Sequence, residues 1–427
     1  MSVPSNCTVL VIGGGPSGSY AATVLAREGV DVVLLEADTF PRYHIGESML
    51  PSMRYFLRFV ELEELFDKHQ FEKKFGSTFK LSGKREAYTD FAASLGPGGH
   101  SWNLIRSESD EMIFRYAGEC GAHVFDGTKV TDIKFIPYGN EHATAEFAQA
   151  GLASLGRPVS AQWSSKDGSS GTLNFEYLID ASGRAGIVST KYLKNRTPNE
   201  ALKNIANWAY WRGATRYGVD THRENSPFFE ALQDKSGWTW IIPLHDGTVS
   251  VGTVQRQSTF FAKKKARGFE TSEENYKEDL KLVPETNALL NNAYIVSEIK
   301  QATDWSYSSS HYAGPHLRIV GDAGCFIDPF FSSGVHLAMF GALSAATSIQ
   351  AARRGDCDEL SAAKWHSSKV TEGYTRFLII VMTIMRQIRN PKHSLLDDEN
   401  EDGYDKAFEK IQSSRHPSPI RNITCFT

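Results

Sequence analysis

Cysteine is scarce in this chain of 427 residues: there are five, Cys7, Cys120, Cys325, Cys357 and Cys425, widely spaced and never as C-x-x-C. An odd, scattered set argues against a disulfide framework or a zinc site and for a reducing compartment. Long apolar runs are missing too. The longest late one, Phe377 to Met385, is too short to span a bilayer, and the start of the chain has no basic region followed by an apolar stretch and a cleavage site. The N-x-[ST] sequons at Asn6, Asn195 and Asn422 therefore have no secretory context. Charge of one sign is lacking as well: 46 Lys and Arg face 50 Asp and Glu, a net charge of −4. Nothing asks for nucleic acid or a membrane as partner, and the triplet Lys263-Lys264-Lys265 reads as a solvated helix face. Two kinds of chemistry lack their marks. His44, His100, His311 and His336 show no metal-ligand spacing, and no G-x-S-x-G elbow occurs. The expectation is a cytoplasmic globular protein without a metal, one large domain or two interleaved ones.

What is present begins with a strand–turn–helix–strand unit. Thr8–Ile12 is apolar and β-rich, Gly13 to Gly18 is a glycine turn, Ser19–Glu28 carries helix formers, and Val30–Glu36 is a second apolar strand. Residues 108–125 read as helix, then extended. Residues 128–180 alternate strand-like runs with turns, clearest at Lys166–Gly171. Residues 204–256 are β-structure again, with a D-G hairpin at Asp246-Gly247 between Trp238–Pro243 and Val249–Val254. Residues 257–300 are charged and helical in pattern. Strand Leu317–Val320, a glycine-rich stretch and helix Val335–Ala346 then return to the first theme.

Gly13-Gly14-Gly15-Pro16-Ser17-Gly18 satisfies G-x-G-x-x-G between a strand and a helix, and Glu36 ends the next strand. Gly13 permits the tight turn, Gly15 lets the backbone approach a pyrophosphate, and Gly18 lets helix pack on strand. The helix N-terminus offers unpaired N–H groups to the phosphates, and Glu36 can accept hydrogen bonds from the adenosine ribose. A merely structural glycine turn is the alternative; the acidic residue at the right distance disfavours it. Gly321-Asp322 follows Leu317–Val320 and precedes a helix, where Asp322 can hold a ribityl hydroxyl. This late G-D pattern resembles the FAD-dependent monooxygenase superfamily.

Further stretches resemble one branch of that superfamily, the flavin-dependent halogenases, and are similar above all to fungal enzymes that chlorinate phenolic polyketides such as resorcylic acid lactones. They are Pro41–Ser48 after the second strand, the W-x-W-x-I-P of Trp238–Pro243, the F-x-x-P-x-x-S-x-G of Phe326–Gly334, and Thr78-Phe79-Lys80. The resemblance runs from residue 1 to about 390. It implies an FAD-binding Rossmann-like α/β fold with an inserted antiparallel-sheet substrate domain and a helical C-terminus. The expected division is 1–90 and 91–199 as FAD-binding domain, the latter with a β-rich insertion, 200–310 as substrate sheet, 311–390 as return segment and helices, and 391–427 as polar tail.

The chemistry implied by the resemblance is as follows. A separate flavin reductase supplies FADH2, which with O2 gives a flavin hydroperoxide. Chloride or bromide attacks it to yield hypohalous acid, and a lysine presents the halogen to an electron-rich aromatic ring. Lys80 is implied as that lysine, with Lys84 a weaker rival; a surface lysine is the bland alternative. Besides Gly13, Gly14, Gly15, Ser17, Gly18, Glu36 and Asp322, cofactor contacts are implied from Arg42, Glu47, Ser48, Arg106 and Val335. Ser333 and Gly334, opening a helix, suit a bare halide, although Ser333 can also simply cap that helix. Trp238, Trp240 and Ile242 share strand parity, so they face one way. They read as a shield between substrate and flavin, or as plain core. Tryptophan halogenases carry a glutamate where this chain has Phe331, which points away from tryptophan and toward a phenol- or pyrrole-type substrate. His100 is a guess for a general base. The relatives continue past residue 427. Rival readings are an aromatic hydroxylase using the same flavin chemistry, a reductase of prenyl double bonds, and an inactive FAD-binding protein.

Overall fold

Strand Asn6–Ile12 is apolar without a break from Val9 to Ile12, and the computed structural model buries that run on both faces. It describes residues 2–81, 86–138, 155–303 and 306–389; Lys84, Asn422, Cys425 and the tail 391–427 lie outside them. Val9 and Val11 pack beneath helices Pro16–Arg27 and Ser333–Arg354. Leu10 and Ile12 point to the opposite face, against strands Thr128–Ile136 and Arg157–Ser165. This two-sided burial is why the strands read as continuous apolar runs rather than alternating ones.

Five strands of an eight-stranded sheet run in the order Leu317–Ile319, Ser170–Asp180, Asn6–Ile12, Val32–Leu35, His123–Phe125, parallel to one another. The crevice beyond their carboxyl ends is where such sheets bind ligands. The strand–turn–helix–strand unit expected from the sequence is present, as is the late return of strand and helix through Leu317–Ile319 and Ser333–Arg354. The Lys166–Gly171 turn joins two antiparallel strands, with Gly168 at φ +89°.

A second sheet runs Asn204–Arg212, Val249–Arg256, Gly237–Pro243, Phe228–Ala231, Gly76–Lys80, Ala87–Asp90. Its pairs are antiparallel except Phe228–Ala231 with Gly76–Lys80. The D-G hairpin forms as the sequence indicates: Gly247 sits at φ +79° and the Asp246 carboxylate accepts from Thr248 N at 2.9 Å. One face of this sheet, with Trp208, Phe229, Trp238, Trp240 and Ile242, packs against Phe330 and the long helix Glu359–Arg389. Its other face is covered by Ser272–Leu280 and neighbouring segments.

Of the lysine triplet, Lys263 departs from the solvated-face reading. It is 18% exposed, ion-paired with Asp234 and donates to Gln255 at 2.9 Å. Among the described residues one helix, Ser333–Arg354, is long and apolar enough to cross a membrane, and 67% of its most apolar stretch is buried in the protein, as in a core helix.

Candidate active site

The fingerprint turn is built by exclusion. A Cβ on Gly18 would lie 1.8 Å from the Gly13 carbonyl oxygen, and one on Gly13, at φ +103°, would lie 2.3 Å from that of Ala181. Neither position admits a side chain, so the helix closes tightly on the strand. Gly14 is pinned the same way by Phe114 and donates its N–H to Glu36 Oε2 at 2.6 Å, while Asp38 N reaches Oε1 at 2.8 Å. Glu36 keeps lone pairs on both oxygens for further donors. Helix Pro16–Arg27 starts with no side-chain cap and with proline at its first position. Its free N–H groups and positive dipole end are left to a ligand.

That end opens into a cavity of about 770 Å³ lined by Gly13, Gly15, Ser17, Glu36, Arg42 and Asp322 on this side. Gly321, at φ +58°, turns the chain after Leu317–Ile319 so that Asp322 faces the cavity. Burial raises the Asp322 carboxyl to about 6 against the pull of Arg106, Arg184 and Arg196. Among the described residues no protein group donates to it. An orphaned carboxylate, an uncapped helix end and a glycine turn that excludes Cβ atoms form the donor and acceptor set that FAD requires, and the cavity fits the cofactor.

Arg106 lines the same space but spends its donors on the protein. It forks onto Asp110 at 2.8 and 3.0 Å and donates to the carbonyls of Ile45 and Gly46 at 3.0 and 3.3 Å. It thereby fixes the Gly46-Glu47-Ser48 loop. Arg42 bridges Asp110 at 3.3 Å and Glu36 at 3.8 Å. Glu47 is buried, its carboxyl raised by desolvation, and it accepts from Tyr210 Oη at 2.6 Å.

At the far end the cavity meets Trp238, Trp240, Ile242 and the start of helix Ser333–Arg354 through Gly334 and Val335. The shared parity of the three strand residues therefore carries all of them into one wall. Trp240 donates to Ser250 Oγ at 3.1 Å; Trp238 Nε1 is buried with no partner among the described residues. Ser333 does not cap the helix. It is the first helical residue, preceded by Ser332 in the left-handed region at φ 55°, and its buried hydroxyl has no partner among the described residues. A Cβ on Gly334 would meet nothing within 4 Å, so open space adjoins that backbone. Phe331 lies 5.7 Å from the Phe79 ring and 5.0 Å from that of Phe330, an apolar corner.

Lys80 ends strand Gly76–Lys80, is ion-paired with Glu285 and does not line the cavity. The stacked Phe79 and Phe229 rings, 5.0 Å apart, belong to the same stretch of sheet. A second lysine, missed in the sequence, lies closer in character to the required chemistry. Lys74 is 1% exposed, donates to Ser48 Oγ at 2.8 Å and Met49 O at 3.0 Å, and sits over the Phe91 ring at 5.0 Å. Desolvation pulls its ammonium down to about 7, and Ser48 lines the cavity. His44 and Tyr43 also line it; burial lowers His44 to about 4. His100 does not: it is held by Arg54 at 2.9 Å and Asp67 at 3.4 Å. Away from the cavity, His69 and His245 both contact Glu108, at 2.7 and 3.2 Å. His245 Nδ1 is buried without a partner among the described residues, whereas a metal-bound imidazole normally passes its other N–H to an acceptor. The cluster reads as hydrogen bonding.

The family model described as tryptophan halogenase matches residues 8–149 and 159–382. Sulochrin halogenase gedL of Aspergillus terreus is 65% identical over 412 residues, 96% of this chain and 75% of the relative. Flavin-dependent halogenase ptaM of Pestalotiopsis fici is 65% identical over 413 residues, 96% of this chain and 76% of the relative. Among solved structures, the flavin-dependent halogenase CmlS superposes with a TM-score of 0.78 at 27% identity, covering 97% of this chain and 72% of its own.

Proposed function

This chain belongs to the flavin-dependent halogenase family, and from that premise we propose that it chlorinates an electron-rich ring of a phenolic polyketide. The observation that carries the proposal is the single cavity joining the fingerprint helix to the paired tryptophans and the open start of helix Ser333–Arg354. The substrate class rests on the sulochrin halogenase likeness and on Phe331, which offers no carboxylate to an amino-acid substrate.

FAD, bound as FADH2 from a separate reductase and supplied with O2, provides the oxidising equivalents that turn chloride or bromide into hypohalous acid. The remaining roles fall to the chain. The helix at Ser17 and Gly18 takes the pyrophosphate, Glu36 the adenosine ribose, and Asp322 a ribityl hydroxyl. Arg106 and Arg42 hold the Pro41–Ser48 segment in place, and Val335 lies against the flavin. Ser333 Oγ and the Gly334 backbone hold the halide, which suits a buried hydroxyl still lacking a partner. Trp238 and Trp240 keep the aromatic substrate away from the flavin while leaving passage for a small oxidant. The two sheets divide these tasks, with the parallel one carrying the cofactor and the antiparallel one facing substrate.

An amine can carry electrophilic halogen only with its lone pair free. Lys80 Nζ is taken up by its ion pair with Glu285, whereas Lys74 has no carboxylate partner among the described residues and burial lowers its ammonium to about 7. This favours Lys74 as the halogen-carrying amine, reached past Ser48. Lys80, in the T-F-K segment, is the second reading.

The test is mass spectrometry of products formed by the protein with FAD, a flavin reductase, NADH, chloride and a panel of phenolic polyketides. A chlorine isotope pattern that requires chloride supports the proposal. Added oxygen without chlorine would turn it into a hydroxylase.

A further inference from the structure

Oxidising a halide ion consumes a proton: X⁻ + O2 + FADH2 + H⁺ gives HOX + FAD + H2O. The proton must enter a cavity walled largely by apolar groups. One chain of hydrogen bonds leads there. Glu47, buried in the cavity wall, accepts from Tyr210 Oη at 2.6 Å; Tyr210 Oη lies 3.1 Å from Tyr43 Oη; and Tyr43, which borders the same cavity but is 49% exposed, accepts from Trp208 Nε1 at 2.7 Å.

We propose that Tyr43, Tyr210 and Glu47 form a proton relay from solvent to the flavin cavity. The inference rests on the reading of that cavity as the flavin site.

The geometry permits both hydrogen-bond polarities. With Glu47 ionised, Tyr43 donates to Tyr210 and Tyr210 to the carboxylate. With Glu47 protonated, it donates to Tyr210, Tyr210 to Tyr43, and the Tyr43 hydrogen turns to solvent. In both states Trp208 Nε1–H fixes the Tyr43 oxygen. When Glu47 gives its proton to the cavity, a concerted shift along the two hydroxyls restores it: one O–H bond breaks and one forms at each tyrosine, and the proton comes from water at Tyr43. The shift must be concerted because neither phenol ionises readily; burial pushes Tyr43 up to about 12 and Tyr210 higher still.

The groups around Glu47 suit a carboxyl that holds a proton yet can release it. Burial raises it; Arg106 and the Gly46 and Glu47 backbone N–H groups oppose that. Ser250 Oγ stands 3.5 Å from its second oxygen and itself accepts from Trp240. Asp322 also acts electrostatically on Arg106, and Lys300 sits 4.3 Å over the Tyr43 ring.

Infrared difference spectra of the flavin-free protein across pH test the relay without turnover. A protonated carboxyl band is expected to persist to higher pH than that of an ordinary carboxyl, to vanish in Glu47→Gln and to shift frequency in Tyr210→Phe, which removes one oxygen and keeps the packing. With FAD bound, Tyr210→Phe should form hypohalous acid about 10²-fold more slowly, with added formate restoring part of the rate. An unshifted band in Tyr210→Phe, or an undiminished rate, would overturn the relay. Fluorescence titration of the unaltered protein with FAD tests the cavity reading by itself, since failure to bind would sink that reading whatever the infrared spectra show.

Discussion

Replacing Lys74 with methionine should make the protein more stable and abolish halogenation at once. Lowering the amine from its ordinary 10.5 to about 7 corresponds to about 5 kcal/mol of unfavourable burial. Methionine fills similar volume without a charge but forfeits the hydrogen bonds to Ser48 and Met49, worth about 1–1.5 kcal/mol each. The expected gain at neutral pH is therefore about 2 kcal/mol. Its pH dependence has a definite sign. Between pH 7 and 10.5 the unfolded chain binds the lysine proton and the folded one does not. The parent thus becomes more stable by about 1.4 kcal/mol per pH unit over that range, and the variant's advantage vanishes at about pH 8.5. Denaturant or thermal unfolding of both proteins at pH 7 and at about pH 10, with FAD binding followed by fluorescence, would measure this. Lys80→Met, losing a half-exposed ion pair, should cost no more than about 1 kcal/mol and keep turnover. A Lys74→Met protein that is less stable than its parent at both pH values, or that still chlorinates, would refute the reasoning.

Further outcomes follow from the same geometry. Ser333→Ala should raise the chloride concentration needed for half-maximal rate about tenfold, the worth of one buried hydrogen bond, with FAD affinity unchanged in a fluorescence titration. Asp322, raised to about 6, is a strong, acceptor-only group when ionised and a weaker acceptor carrying a donor O–H when protonated. FAD affinity should therefore fall as the pH drops through that value, and Asp322→Asn should bind weakly with the pH dependence flattened. Gly18→Ala would place a methyl 1.8 Å from the Gly13 carbonyl. It should lose FAD binding and soluble yield together, as read by absorbance of the purified protein.

The glycine turn, Glu36, the Gly321-Asp322 step and the tryptophan strand could all be read in the sequence, because each is set by local rules: a φ that only glycine adopts easily, a strand parity, a fixed spacing. Lys74 could not. Next to Lys73 it looks like any solvated pair, and only the tertiary packing around Ser48, Met49 and Phe91 removes its water. Tyr210 and Glu47 are 163 residues apart, and nothing local in either announces the other. The halide turn was legible in place but not in detail: Ser333 was expected as helix cap or halide ligand, and the left-handed Ser332 moves it one position into the helix, which leaves its hydroxyl unspent.

Strand Gly76–Lys80 leaves the cofactor half of the chain to pair with Phe228–Ala231, and Asn6–Ile12 lies between Val32–Leu35 and Ser170–Asp180. A ribosome releasing this chain therefore exposes several strands long before their partners exist. The first apolar strand waits for more than 160 residues of synthesis to gain its second neighbour, and contacts of such separation form slowly. The nascent protein carries open, apolar strand edges during that interval. Its yield in any host should depend on chaperone supply and on slow growth at low temperature more than on the stability of the finished fold, and neither half should be obtainable by cutting the gene once.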